Sequence, residues 1–242
     1  MTPSPKKAPP ISNQIKRDRA AAKWDKPLEG SRARTAAWLD MMLVDHGFIR
    51  SIYLNKHRLG PRAWRAAQPS PAQLKWFAKA GVKSVVSLRG GMMFGSLPLE
   101  REACARLGMT FHIFPLYSRD LPKREVLLDF IRFIREIEHP VLYHCKSGAD
   151  RAGFASVLHA HVVDGVPVEE ARQQLSVKFG HFRQAKTGVL DAFFDTYLAE
   201  RGERDISLED WIATEYDRMK IKQAFREVRT SGWFVDRVLK RE

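Results

Sequence analysis

The segment Val141-Leu142-Tyr143-His144-Cys145-Lys146-Ser147-Gly148-Ala149-Asp150-Arg151 constrains the fold more than any other part of the chain. Pro140–His144 reads as a short buried strand. It runs into a glycine-containing loop, and a helix follows from about Arg151. Upstream, Ser70-Pro71 supplies an N-cap with proline at the first helical position, and Gly81 supplies the stop. Val82 to Leu88 is a β-branched run and reads as a buried strand. A helix around Leu97–Leu107 ends at Gly108, and Thr110–Leu116 is the next strand. Pro122 opens a helix whose Val126, Leu127, Phe130, Ile131, Phe133, Ile134 and Ile137 mark one buried face. Strands separated by helices predict an α/β fold, with a central, mostly parallel sheet flanked by helices. Residues 167–175, 185–200 and 207–241 read as further helices that close the domain.

The loop carries chemistry as well as topology. Its backbone N–H groups curl around one point, and the helix N-terminus adds partial positive charge there. That field suits both a bound oxyanion and a cysteine thiolate at the carboxyl end of the strand. Arg151 can hold two phosphate oxygens through its planar fork, and Gly148 tolerates the turn. Nucleophile, anion cradle and charge clamp thus fall within seven residues, Cys145 to Arg151.

With its His-Cys, five residues, then Arg, the loop resembles the signature of the cysteine-based protein tyrosine phosphatase superfamily. Over roughly residues 60–200, strand, loop, helix and flanking α/β pattern resemble bacterial dual-specificity-like and lipid-phosphatase-like members. The resemblance implies phosphate contacts from His144, Lys146, Ser147, Gly148, Ala149 and Asp150, with Cys145 as nucleophile and Arg151 as clamp. It also implies an aspartate general acid on a separate loop after a strand. Asp120 meets that requirement, 25 residues before Cys145, although the same residue can cap the helix that Leu121-Pro122 begins. One departure stands out. The family usually carries Ser or Thr directly after the arginine, and here the position is Ala152, which bears on breakdown of a cysteinyl-phosphate.

Further determinants follow from position. Arg89 ends the first strand, at the sheet edge where open α/β sheets bind ligands, and the apolar loop Gly90-Gly91-Met92-Met93-Phe94-Gly95 follows it. Lys178, His181, Arg183 and Lys186 lie close together without an intervening acid, and Gln184 or Thr187 is placed to position water or substrate. Cys104 reads as core packing, with a redox partnership to Cys145 as the lesser alternative.

Charge narrows the partners. The net +13 lies wholly in the first 99 residues: residues 1–34 carry nine bases against three acids, and His46 to Leu99 contains nine bases and no acid. Residues 1–33 read as a basic disordered tail, and 34–59 as an amphipathic helical extension. The phosphatase domain is expected over 60–200 and a C-terminal helical extension over 201–242. In the helix at 35–54, Trp38, Met41, Val44, Phe48 and Ile52 recur at spacings of 3 and 4. Docking on the domain is expected to bury Trp38, Met41 and Phe48, the alternative being an interfacial helix held on an anionic bilayer by the basic tail, against which Asp40 and Asp45 count. The adjacent basic surface then suits an anionic membrane. Only Cys104 and Cys145 are present, which excludes a disulfide scaffold and a cysteine-rich metal site. No apolar run reaches a membrane span and no signal-peptide core is evident, so a cytoplasmic protein is expected. No metal or cofactor is expected. The balanced charge of residues 100–242 argues against specific nucleic-acid binding. The sequence therefore predicts a phosphomonoesterase acting on a lipid, saccharide or protein phosphate. The alternative is a phosphate-binding module with little turnover.

Overall fold

A computed structural model describes residues 11–90 and 93–239 of the chain. Gly91 and Met92 of the apolar loop, the first ten residues of the expected tail and the last three residues of the chain lie outside the described residues. Five strands form one sheet in the order β1-β2-β5-β3-β4. Strand β1 (His57–Arg58) pairs antiparallel with β2 (Ala63–Ala67), and β3 (Ser84–Ser87), β4 (Thr110–Ile113) and β5 (Val141–Cys145) are parallel with β2. Strand β5 lies between β2 and β3, in register Ala67 to Cys145 and Ser87 to His144. The sheet thus changes direction of travel at β5, and the carboxyl end of β5 is where such sheets bind ligands.

Helices cover both faces. One core packs α6 (Arg124–Glu136), α7 (Asp150–Val162), α9 (Val189–Arg201) and α10 (Leu208–Thr214) around Phe130, Phe154, Phe193 and Trp211. The other face buries Leu74 and Phe77 of α4 (Pro71–Lys79) and Cys104 of α5 (Ser96–Arg106). The start of α4 is fixed by reciprocal bonds between Ser70 and Gln73, with Pro71 at the first helical position. The long α11 (Arg218–Leu239) follows α10.

The N-terminal region departs from expectation in two ways. Where composition predicts an unstructured tail, residues Ile11–Trp24 form α1, and Trp24 is buried with Ala37, Met41 and Leu99. An apolar ring with a place to bury is what the charge-rich composition conceals. The expected helix at 35–54 is also divided. It comprises α2 (Gly30–Leu39), a π-helical turn at Asp40–Val44 and α3 (Gly47–Ile52), with His46 in a left-handed conformation (φ 56°) at the break. Of the expected buried stripe only Met41 is buried; Trp38, Val44, Phe48 and Ile52 are exposed. The π turn changes the rotation per residue, so a regular 3.6-residue count fails beyond it. What this segment buries instead is Asp45 and Arg50.

Candidate active site

Cys145 is the last residue of β5 and is 2% exposed. The loop after it is held from behind by two side chains that sequence reading did not single out. Arg65 of β2, fully buried, donates from Nη2 to the carbonyls of Gly148 (2.7 Å) and Ala149 (2.8 Å), and from Nη1 to the carbonyl of Gln174 (2.5 Å). Asn55, itself at positive φ, donates to the carbonyls of Ser147 (3.0 Å) and Phe179 (2.9 Å). Three successive loop carbonyls are therefore drawn outward. Since C=O and N–H of a trans peptide point in opposite directions, the amides of Gly148, Ala149 and Asp150 face the other way, forming an anion nest. Gly148 has φ +74°, and a Cβ there would sit 2.5 Å from the Ala67 nitrogen; only glycine fits.

Among the described residues Arg65 forms no ion pair with a carboxylate. Burial pulls its guanidinium down to about 10, an effect opposed by the charges of Cys145 and Asp150. Arg151, in the first turn of α7, reaches the Leu88 carbonyl at 3.4 Å, and among the described residues its buried Nε has no hydrogen-bond partner. A buried guanidinium N–H without a partner is a poor end state unless an anion completes it.

Asp150 opens α7 and contacts His181 of the basic cluster. His181 Nδ1 lies 2.7 Å from Asp150 Oδ1 and its Nε2 lies 2.7 Å from Asp191 Oδ2. Burial lowers the affinity of the imidazole for a proton, but the two carboxylates outweigh it, and the pKa rises to about 9. His181 is thus a buried imidazolium tying the loop to α9; the cluster has no acid between its members in sequence, but Asp150 and Asp191 enclose this one in space. Arg183 of that cluster pairs with Asp195, beside a cleft of about 440 Å³ also lined by Gln174, Lys178 and Phe179.

The remaining candidates separate into those near the loop and those turned away. Lys146 is half exposed, with Nζ 3.6 Å from Asp45 Oδ1. The Ser147 hydroxyl accepts the Ala149 N–H at 3.4 Å. The His144 ring is fully buried, with Nε2 2.8 Å from Glu100 Oε1. It therefore points into the α5 side of the sheet. Arg89 is bidentate on Asp45, with contacts of 2.6 and 2.8 Å, so its fork is already engaged by the N-terminal extension. Asp45 is fully buried and is also bound by Arg50 at 2.9 Å; burial opposes its ionisation, but Arg89, Arg50 and Lys146 together hold it below the usual carboxylate range. Thr187 lies in a 3-10 turn, Lys186–Gly188, and among the described residues its hydroxyl has no hydrogen bond to the loop. Asp120 is in contact with Arg218 (2.6 Å) and Lys222 (2.5 Å) of α11, and lines a cleft with Leu116, Tyr117 and Val126. Its Oδ1 also accepts the N–H of the next residue, Leu121, but it caps no helix: α6 begins only at Arg124, with Lys123 at the N-cap and no side-chain capping bond. Ala152 is buried in the core.

A family model described as a dual-specificity-type phosphatase fused to NAD⁺ kinase matches residues 53–189, more than half of the chain. The chain belongs to this phosphatase family. Phosphatase function of the tyrosine/dual-specificity type follows from that membership. No curated protein matches the sequence. Among solved structures, TpbA of P. aeruginosa is similar at 20% identity, with a TM-score of 0.47 over 72% of this chain and 91% of that one. Tk-PTP is similar at 22% identity and a TM-score of 0.47, over 63% and 99% of the two chains. PTPMT1 is similar at 16% identity and a TM-score of 0.45, over 62% and 99%. The family match begins at Tyr53, so Asn55, Arg65 and the loop of this phosphatase lie within it, whereas Asp45 lies before it.

Proposed function

We propose that the chain is a metal-independent phosphomonoesterase in which Cys145 attacks phosphorus and a cysteinyl-phosphate forms. Arg151 and the amides of Gly148, Ala149 and Asp150 stabilise the equatorial oxygens. Asp120 gives its proton to the departing oxygen and then takes one from the attacking water. The observation that supports this reading is the tethering of three successive loop carbonyls by Arg65 and Asn55, which turns the opposed amides away from those donors, the Ala149 N–H being shared with the Ser147 hydroxyl. The substrate is an anionic lipid or saccharide phosphate, or phosphotyrosine on a protein. The cytoplasm, where Cys145 stays reduced, is the natural site of action.

A second reading has the loop retain a phosphorylated ligand with little turnover. Two observations favour it: Ala152 replaces a hydroxyl, and Asp120 is paired with two cations, which favour its ionised form over the acid. Hydrolysis of a generic aryl phosphate in EDTA by wild type, Cys145→Ser and Asp120→Asn separates the two. Sustained wild-type turnover that is lost in Cys145→Ser supports the enzyme. A stoichiometric burst without turnover supports retention. Metal dependence, or full activity in Cys145→Ser, overturns the cysteine mechanism.

A further inference from the structure

The segment from α2 to α3 is amphipathic in the wrong sense for a soluble surface. From Leu43 onward it buries its two acid–base side chains, Asp45 and Arg50, and turns Leu43 (65% exposed), Phe48, Ile49 and Ile52 (88% exposed) outward, while Arg32 and Arg34 of α2 stay exposed. The polar interior is fixed by bonds already described, so the segment cannot roll to hide its apolar side without breaking the Asp45–Arg89 fork. Contiguous large apolar side chains of this kind on a protein surface mark a contact with another apolar phase or partner.

The charge around the ridge selects the partner. Gln73 of α4 donates to the Arg50 carbonyl, which seats α4 beside α3. The exposed cations Lys56 and Lys75 flank the ridge there, and Lys56 lies 3.5 Å over the half-exposed Trp76 ring. No acid occurs between His46 and Leu99. The nearby acids are engaged: Asp40 accepts the Gly95 N–H, Asp45 is buried among arginines, and Glu102 pairs with Arg34 and Arg106. Apolar ridge and unopposed cations together are the two signals of interfacial binding to an anionic bilayer. A second copy of the chain would bring only the same cations to this face.

We infer that the ridge of α2 to α3 inserts into the headgroup region of an anionic lipid surface, with Lys56 and Lys75 on its phosphates. The rim of the catalytic loop lies next to this ridge, because Asn55 holds Ser147 and Asp45 approaches Lys146. Resting on the phosphatase reading, this adds that the phosphomonoester is presented at a membrane.

The test is co-sedimentation of the full chain with vesicles of phosphatidylcholine alone, or of phosphatidylcholine and phosphatidylglycerol in equal parts. It uses wild type, the exposed-site double variant Leu43→Asp/Ile52→Asp, and Lys56→Glu/Lys75→Glu, with aryl phosphate hydrolysis in solution as the check on folding. Wild type is expected to pellet with the anionic vesicles only, and both variants to lose about tenfold or more of that partitioning while hydrolysing the soluble substrate normally. Absence of wild-type binding, or equal binding by the variants, overturns the inference. Concentration-dependent self-association abolished by the Leu43/Ile52 variant, without vesicle binding, overturns it in favour of a second copy. Vesicle binding with no hydrolysis of any phosphate would leave the surface standing and remove the enzymatic reading.

Discussion

Stability of this fold should fall as pH rises from neutral to mildly alkaline, and His181 is the reason. Its imidazolium sits between Asp150 and Asp191 with both nitrogens engaged, and its pKa is raised from 6.5 to about 9. A group whose pKa is higher folded than unfolded adds stability that is complete below the unfolded value and is lost through the folded one. The shift of about 2.5 units, at about 1.36 kcal/mol each, amounts to about 3 kcal/mol, present below about pH 6.5 and gone above about pH 9. Urea unfolding of wild type and His181→Gln across this range isolates it. The variant lacks the titration, so the difference between the two proteins should shrink by about 3 kcal/mol from pH 6 to pH 10. A difference that stays flat across that range would refute the clamped imidazolium. Because Asp150 precedes Arg151 at the start of α7, kcat/KM for an aryl phosphate should fall in the variant even where it remains folded.

Other outcomes follow from the same geometry. Replacing Arg65 with Met leaves the Gly148 carbonyl of the loop without its donor, at about 1–3 kcal/mol, while the Ala149 carbonyl keeps the Gly153 N–H. It should lower both urea stability and kcat/KM, and Arg65→Lys should recover part of the stability. Gly148→Ala forces a left-handed residue and a Cβ against the backbone of Ala66 and Ala67, so urea unfolding should show a loss of about 1–3 kcal/mol or more. Arg218→Met removes a cation from Asp120, which favours the acid form. The alkaline limb of the kcat–pH profile should then move to higher pH, and an unmoved limb would exclude Asp120 as the acid.

Much of the architecture was legible because local signals and tertiary structure agree. The Ser70-Pro71 start, the β-branched strand at Val82–Leu88 and the apolar face of α6 all fall where patterning puts them. Strand β2 was not legible. Its sequence, Ala-Trp-Arg-Ala-Ala, has little strand propensity, and it is extended because β1 and β5 pair with it on either side. Arg65 was hidden with it, since its meaning lies 83 residues away at Gly148. His181 looked like one cation in a basic cluster because the carboxylates that enclose it come from α7 and α9. Periodicity also misjudged the N-terminal helix: it counts apolar spacings and has no way to foresee that a buried aspartate among arginines will set which side faces inward.

That aspartate has a practical consequence for anyone trimming this protein to its recognisable domain. The family match starts at Tyr53, eight residues after Asp45, and a shortened chain begun there would look complete by homology. It would nevertheless strip the fully buried counter-ion from Arg89 and from Lys146 of the catalytic loop. Removing one member of a buried ion pair typically destabilises by about 3–5 kcal/mol; here the loss falls chiefly on the mostly buried Arg89, since Lys146 is half exposed and keeps water. The extension thus works as an interior part threaded in from outside the domain boundary. A catalytic comparison made on the trimmed chain would report the missing carboxylate along with the chemistry.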